Sequence, residues 1–321
     1  MRVKLNKKTK CLVTGSNGFL GKHLVNLLKK RNVKIISTSS KLNDLRNLND
    51  FEKIFKAKKP DIVFNLAAKV GGILDNKLSP ADFFYDNMSI IINTFYLCKK
   101  YKVKKVISVG AGCGYPLNIK EPLEEKNMFN GLPQEESRAY SMSKKMMFIA
   151  NEAYFKQYKM NSNSIIPSNI YGEFDNFNLE KSHVIPALVR KFYEAKLKNK
   201  KSVDIWGDGK AKRDFIHAED VARSMIYLTE NYNSIDPVNI CSGKQNSIKN
   251  VARYLKQISK YKGTINWKTD MPVGQKSREF STKKMKKVLG KQTKNFKNLY
   301  EGLKITYDWF EKNYKSKNIR L

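Results

Sequence analysis

A tyrosine and a lysine four residues apart carry the first hint of chemistry. In Tyr140-Ser141-Met142-Ser143-Lys144 the pair falls on one face of any helix that spans it. A phenol ionises near ~10 and is a poor proton carrier at neutral pH, whereas a neighbouring ammonium favours its phenolate. Such a pair can give a proton to a carbinol oxygen, or take one from it, while hydride moves at the carbon. Far upstream, Thr14-Gly15-Ser16-Asn17-Gly18-Phe19-Leu20-Gly21 spaces its glycines three apart. That spacing allows a tight turn, a close backbone approach to a pyrophosphate, and a following helix whose free N–H groups face the anion. Gly15, Ser16, Asn17, Gly18, Phe19, Leu20 and Gly21 are the candidate phosphate cradle.

A carboxylate at the end of the second strand would bind the ribose 2′-hydroxyl of NAD and repel a 2′-phosphate. Here that region reads Ser37-Thr38-Ser39-Ser40-Lys41, with hydroxyls and a lysine but no carboxylate. NADP is therefore the expected cofactor, with NAD as the alternative and Lys41 as the candidate 2′-phosphate partner. Asp44 beside Leu45 is a candidate adenine contact; the other reading is an exposed loop carboxylate.

The elements that must position these residues alternate along the first half. Short apolar runs at 11–13, 33–36, 62–64, 106–109 and 164–166 read as strands. Between them, apolar positions at helical spacing predict helices after the glycine turn and over 48–55, 81–101 and 138–158. Strand–helix alternation of this kind argues a parallel sheet covered by helices on both faces. Beyond Gly172 the rhythm loosens: helices near 185–195, 218–230, 248–261 and 299–310, and strands near 203–206, 238–241 and 264–267. The expected fold is α/β, a doubly wound parallel sheet of the Rossmann type with a smaller, discontinuous C-terminal substrate domain. The expected division is 1–172 with 203–242 for the dinucleotide-binding part, and 173–202 with 243–321 for the substrate part.

Composition narrows the class. The 321 residues are 41% hydrophobic, enough for a packed core and too many for a disordered basic tail. No apolar run approaches the ~18 residues of a membrane span, and the basic N-terminus lacks the apolar stretch of a secretory signal. Cys11, Cys98, Cys113 and Cys241 form no disulfide framework and show no metal-ligand spacing, so no metal is expected and a cytoplasmic location is. A net charge of +33 invites a polyanionic partner. Yet only ten of the 62 basic residues are Arg, and the lysines fall in scattered pairs, as on a solvated surface. No nucleic-acid partner is expected; phosphates of small ligands are the better use of a few of these charges.

With these motifs in place, the chain resembles the extended short-chain dehydrogenase/reductases that act on nucleotide sugars. Within them it is most like the 3,5-epimerase/4-reductases of GDP-4-keto-6-deoxymannose. The resemblance spans roughly residues 9–280. It rests on the glycine turn, Asn65-Leu66-Ala67-Ala68-Lys69-Val70-Gly71-Gly72-Ile73, Cys113-Gly114-Tyr115-Pro116 and Tyr140 with Lys144. Pro167-Ser168-Asn169-Ile170-Tyr171-Gly172, Asp175-Asn176-Phe177, Ser182-His183-Val184-Ile185-Pro186-Ala187-Leu188, and Trp206-Gly207-Asp208-Gly209 with Arg213-Asp214-Phe215 complete it.

The resemblance implies roles. Tyr140 and Lys144 would serve the C4 oxygen and the nicotinamide ribose. Cys113 would be the base that removes the proton beside the 4-keto group, and His183 the acid that reprotonates from the other face. Leu66, Ala67, Ala68, Pro167, Asn169 and Ile170 would line the cofactor, and Lys191, Trp206, Arg213 and Arg278 would hold the nucleotide diphosphate. The implied substrate is a GDP-linked 4-keto sugar in surface-glycan precursor synthesis. The implied assembly is a homodimer paired through the helices at 81–101 and 138–158. Without the Tyr-Pro context, Cys113 would read as a small buried apolar residue. His23 and His217 read as structural.

One position departs from the family. Four residues before Tyr115, where the family has a Ser or Thr whose hydroxyl meets the C4 oxygen, this chain has Ala111. Such donors can be worth ~3 kcal/mol. Three readings stay open: a water or another hydroxyl substitutes, the enzyme performs part of the reaction on a related substrate, or binding survives without turnover. The corresponding alternatives are an NAD(P)-dependent nucleotide-sugar 4-epimerase or 4-dehydrogenase, and a non-catalytic dinucleotide-binding protein. Lys191 also stands where the family commonly has Arg, which loses a bidentate phosphate contact.

Overall fold

The computed structural model describes residues 3–39, 43–271, 275–316 and 319–321. Its first half runs β1 (Lys10–Thr14), α1 (Phe19–Lys30), β2 (Lys34–Ser37), α2 (Leu48–Lys58), β3 (Ile62–Asn65), α3 (Ile73–Leu78), α4 (Pro80–Lys100), β4 (Lys105–Val109), α5 (Arg138–Tyr158) and β5 (Ser162–Pro167). Then come β6 (Asn169–Tyr171), α6 (Val184–Leu197), β7 (Ser202–Trp206), β8 (Lys212–His217), α7 (Ala218–Asn231) and β9 (Val238–Ile240). The chain ends with β10 (Gln245–Ser247), α8 (Ile248–Ser259), β11 (Thr264–Lys268), α9 (Lys283–Leu289) and α10 (Leu299–Asn313).

Six strands form a sheet in the order β2-β1-β3-β4-β5-β9, every neighbouring pair parallel. β3 and β5 are buried at every position, as strands covered on both faces must be. The alternation of strands and helices thus folds as the sequence predicts. The chain adds β2 on one side of β1 and β3 on the other, so the sheet reverses its winding between β1 and β3. A crevice opens there beyond the carboxyl ends of the strands. Thr14, the last residue of β1, braces that point: its hydroxyl accepts from the N–H groups of Leu66 at 3.0 Å and Ala67 at 3.1 Å.

A second apolar cluster, with Tyr171, Phe177, Phe192, Leu255 and Phe310 at its centre, forms the smaller lobe. Here the structure corrects the expected division. β7 pairs in parallel with β11 in a sheet of its own, and Val203 and Ile205 bury in the second cluster. Only alternate residues of β7 are buried, because α6 covers one face. Conversely, Phe280, Met285 and Leu289, expected in the substrate part, pack into the core of the main sheet. β8 joins the two clusters: Phe215 belongs to one and Ile216 to the other. Just before them, the buried carboxylate of Asp214 accepts from the Ser168 hydroxyl and from the N–H groups of Ser242 and Gly243, each at 2.8 Å.

His23 and His217 are buried and occupied. The His23 ring bonds the Glu173 carbonyl oxygen at 3.0 Å, and the His217 ring caps α7 by accepting from the Glu219 N–H. Among the described residues, no group of His, Cys, Asp and Glu is arranged to hold a metal ion, and no helix is long and apolar enough to cross a membrane.

Candidate active site

The glycine turn is built as its spacing requires. Gly15 has φ +68°, a left-handed conformation that a side chain resists, and a Cβ there would lie 3.1 Å from Ala67 Cα. At Gly21 an added Cβ would stand 2.0 Å from the Gly15 carbonyl oxygen, so α1 can seat against the turn only without a side chain. Gly18 opens α1 without a side-chain cap, and no acidic residue occupies the first turn. The free N–H groups and positive end of the helix dipole therefore face the crevice. These residues fit a dinucleotide pyrophosphate.

The neighbouring walls are fixed by polar side chains. Gly15 N–H donates to the Thr38 hydroxyl and Ser16 Oγ to the Thr38 carbonyl, both at 3.2 Å, which ties the end of β2 to the turn. Asn87, buried inside α4, accepts from Lys69 N–H and donates to the Lys69 carbonyl at 3.1 Å, locking the segment that follows Leu66, Ala67 and Ala68. Asp44 is gripped by the Arg46 guanidinium at 2.8 Å, which holds its carboxyl below the usual range. Arg46 also reaches Asp86 at 2.9 Å, and Leu45 packs into the core, so this corner is rigid. Lys41 lies outside the described residues.

Tyr140 and Lys144 lie in the first two turns of α5, beside the carboxyl end of β4. Lys144 Nζ donates to the Val109 carbonyl at 3.2 Å and stands 5.9 Å from the centre of the Tyr140 ring. Burial draws the ammonium down to about 8, with Cys113 opposing. Burial also pushes the Tyr140 phenol above its usual range, and nearby Cys113 adds to that. Lys144 commits one of its three N–H donors to Val109, and burial is the largest influence on the phenol. Burial therefore favours the neutral phenol of Tyr140, the form that can donate.

Cys113 sits in the 3-10 turn Gly112–Gly114 that follows β4. Its half-buried thiol faces the same pair. Burial raises it, while a hydrogen bond with the Ser141 hydroxyl and the cations of Arg278 and Lys144 draw it down. Pro167 closes β5 beside this turn: a Cβ on Gly112 would stand 3.2 Å from the Pro167 carbonyl oxygen. Asn169 then donates to the Asp214 carbonyl at 3.0 Å, and Ile170 follows half-buried in β6. Ala111 opens the Cys113 turn in extended conformation and presents no hydroxyl.

The remaining expected residues fall into separate groups. His183 is exposed at the start of α6 and, among the described residues, makes no hydrogen bond to Cys113 or Tyr140. Lys191 in α6 meets Trp206 in β7, its Nζ 5.9 Å from the ring centre and 2.9 Å from the Asp204 carbonyl oxygen. Trp206 is half exposed, a flat face open to a ligand. Arg213 and Arg278 are neighbours; burial lowers Arg213, and the adjacent Arg278 lowers it further. Sequence reasoning passes over Asn87 and Ser141. The signal for Asn87 is a polar amide set between the apolar Phe83, Ile90 and Ile91 on one helix stripe.

The chain is similar to known proteins over most of its length. Residues 11–241 match the NAD dependent epimerase/dehydratase family. A putative GDP-L-fucose synthase of Arabidopsis thaliana is 34% identical over 311 residues, covering 96% of this chain and 94% of its own. The crystal structure of a GDP-L-fucose synthetase from Naegleria fowleri bound to NADP superposes with a TM-score of 0.91 at 28% identity, covering 100% of this chain and 98% of that one. A GDP-6-OMe-4-keto-L-xylo-heptose reductase from Campylobacter jejuni superposes at 0.89 with 30% identity, covering 98% and 100%. The chain belongs to the NAD dependent epimerase/dehydratase family, in the branch that contains the GDP-L-fucose synthases.

Proposed function

We propose that this protein is an NADP-dependent epimerase/reductase of a GDP-linked 4-keto sugar, an oxidoreductase that is also an isomerase. The observation that carries the reading is the Cys113 thiol facing Tyr140 and Lys144 across the end of β4. A phenol–ammonium pair alone serves any carbonyl reductase. A thiol beside it adds a base for the C–H groups that a ketone acidifies. The relatives point the same way, since their names specify GDP-linked sugars and NADP. The retained Tyr140 and Lys144 disfavour a purely binding protein, and the likeness to NADP-bound and reductase structures disfavours an NAD-type 4-epimerase or 4-dehydrogenase.

In this reading the turn Gly15–Gly21 holds the pyrophosphate of NADP. Asp44 stands at its adenosine end, Lys41 is the residue assigned to its 2′-phosphate from the sequence, and Leu66, Ala67, Ala68, Pro167, Asn169 and Ile170 line its walls. Lys144 holds the nicotinamide ribose. NADPH, when bound, supplies the hydride that reduces the C4 carbonyl. The thiolate of Cys113 removes a proton from a carbon next to that carbonyl: the C–H bond breaks, an S–H bond forms, and charge gathers on the ketone oxygen. Tyr140 donates a hydrogen bond to this oxygen, and His183 returns a proton to the opposite face of the carbon. On reduction Tyr140 transfers its proton to O4. Lys191, Trp206 and Arg213 receive the guanosine diphosphate.

The test is incubation with GDP-4-keto-6-deoxymannose and NADPH in deuterated water. The expected result is NADPH oxidation with deuterium at C3 and C5 of the product. Absence of both overturns the reading, and oxidation without deuterium reduces it to a simple C4 reductase.

A homodimer belongs to the same proposal. α4 exposes Phe84, Tyr85, Ile92 and Tyr96, and α5 exposes Ile149, Phe155 and Tyr158, an apolar surface on two helices already packed together. Sedimentation should give twice the chain mass, and Ile92→Lys should halve it. The four free cysteines, three of them buried, suit a cytoplasmic location.

A further inference from the structure

Arg278, expected at the nucleotide, directs its guanidinium at the turn that carries Cys113. Nη2 donates to the Gly112 carbonyl at 3.1 Å and to the Tyr115 carbonyl at 3.4 Å, while Nη1 donates to the Pro116 carbonyl at 3.2 Å. The planar fork thus spans both sides of Cys113, a geometry that an ammonium cannot reproduce. The segment around Arg278 is itself strapped down. Leu123 N–H donates to the Glu279 carbonyl at 2.7 Å, and Ser281 N–H donates to the Leu123 carbonyl at 2.9 Å. Phe280 lies over Gly112, where a Cβ would meet its Cζ at 2.6 Å, and packs edge-on against the buried Tyr115.

The charged surroundings agree with the contacts. Cys113 is faced by two cations, Arg278 and Lys144, and by the Tyr140 phenol; Glu121 lies on the side of Arg278 and Arg213. From α5 the buried Ser141 hydroxyl meets the thiol, with the Ser137 hydroxyl 3.4 Å behind it.

We propose that Arg278 is a positioning residue for Cys113: its fork fixes the thiol-bearing turn, and its charge stands next to the sulfur that must become a thiolate. This rests on Cys113 being the base of the reaction. The consequence is a division of labour among the residues expected at the nucleotide, with Lys191, Trp206 and Arg213 left to receive the diphosphate and base.

The experiment reads the thiol directly. Full-length protein without substrate is alkylated with iodoacetamide across a pH series, and modification of Cys113 is followed by peptide mass, since the thiolate is the reactive form. Arg278→Gln is expected to move the alkylation midpoint upward, leaving about tenfold less thiolate at a fixed pH below it. Its kcat for deuterium incorporation should fall by a similar factor, while KM for the GDP-sugar changes by less than about threefold. Arg278→Lys, which keeps the charge but loses the fork, should recover part of both. A raised KM with an unchanged Cys113 profile overturns the proposal and returns Arg278 to the nucleotide. If Arg278→Gln does not fold, Arg278→Lys decides: a displaced profile supports the proposal and an unchanged one overturns it. Cys113→Ala separates this result from the underlying reading. If that variant still incorporates deuterium, Cys113 is not the base, whatever Arg278 does to its thiol.

Discussion

In the proposed mechanism the site has a reducing side and a proton-exchanging side, and the two are built differently. The glycine turn, Tyr140 and Lys144 stand where β1, β4 and α5 end or begin, so regular elements position them. Cys113 sits in a three-residue 3-10 turn, and His183 in the exposed approach to α6. The turn is held by bonds from Arg278, far along the chain. Hydride chemistry asks for a rigid frame that two helices and a sheet supply. Proton exchange on opposite faces of a sugar asks for groups brought from separate loops, and those need clamps.

The sharpest way to break this comparison is to remove one side. Tyr140→Phe deletes the proposed proton donor while leaving the ring against Phe83. NADPH oxidation should fall by about 10²–10⁴-fold, the usual worth of a positioned acid. Deuterium exchange at C3 and C5, measured by sugar mass, should fall by less, because there Tyr140 only donates a hydrogen bond to the charged oxygen and transfers no proton. Equal losses in both would mean that the two sides act as one unit.

Gly21→Ala attacks the frame of the reducing side. The new Cβ must displace the Gly15 carbonyl from 2.0 Å, so the turn and α1 have to separate. Overpacking of this kind costs about 1–3 kcal/mol. A loss of about tenfold or more in NADPH affinity should appear in a binding titration, with Cys113 alkylation unchanged. Unchanged affinity would remove the pyrophosphate from this turn.

The two sides should also part company with pH. Lys144, drawn by burial to about 8, carries its charge below that value and loses it above. Reduction should therefore fall by about tenfold per pH unit on the alkaline side. The thiolate of Cys113 grows as pH rises, and burial moves that growth to the alkaline side, so deuterium exchange should climb there. Lys144→Arg should flatten the reduction limb, because a guanidinium keeps its charge. Parallel limbs for both reactions would show that one titration governs the whole site.

The same contrast explains what could be read from the chain alone. The main sheet is legible because buried parallel strands are short apolar runs and helices repeat at their own period; α5 runs over the expected 138–158. The three-residue strands β6 and β10 leave no such trace, since β10 is Gln-Asn-Ser and exists through its pairing with β8. β7 reads as a strand, but its partner β11 lies sixty residues on, and the sequence does not say which sheet it joins. Tyr140 and Lys144 are a local spacing and so are visible. The contact of Ser141 with Cys113 and the grip of Arg278 on the Cys113 turn are tertiary facts, and periodicity carries no signal for either.

Ala111→Ser is the smallest expected effect and bears on the boundary between the sides. Residue 111 opens the Cys113 turn with φ −144° and ψ 136°, an extended conformation that a serine adopts without strain. Its carbonyl already receives the Gly114 N–H at 3.0 Å, so the backbone bonds need not change. A hydroxyl here would add a donor where the proposed mechanism places the C4 oxygen, beside Tyr140. In a preorganised site such a donor is worth up to ~3 kcal/mol. Introduced into surroundings fitted to alanine, it should return only a fraction of that, a rise of about threefold to tenfold in NADPH oxidation at saturating substrate. Cys113 alkylation should not move, because the serine joins the reducing side alone. A fall in reduction would mean that the substrate packs against the alanine methyl itself, and that residue 111 selects the sugar.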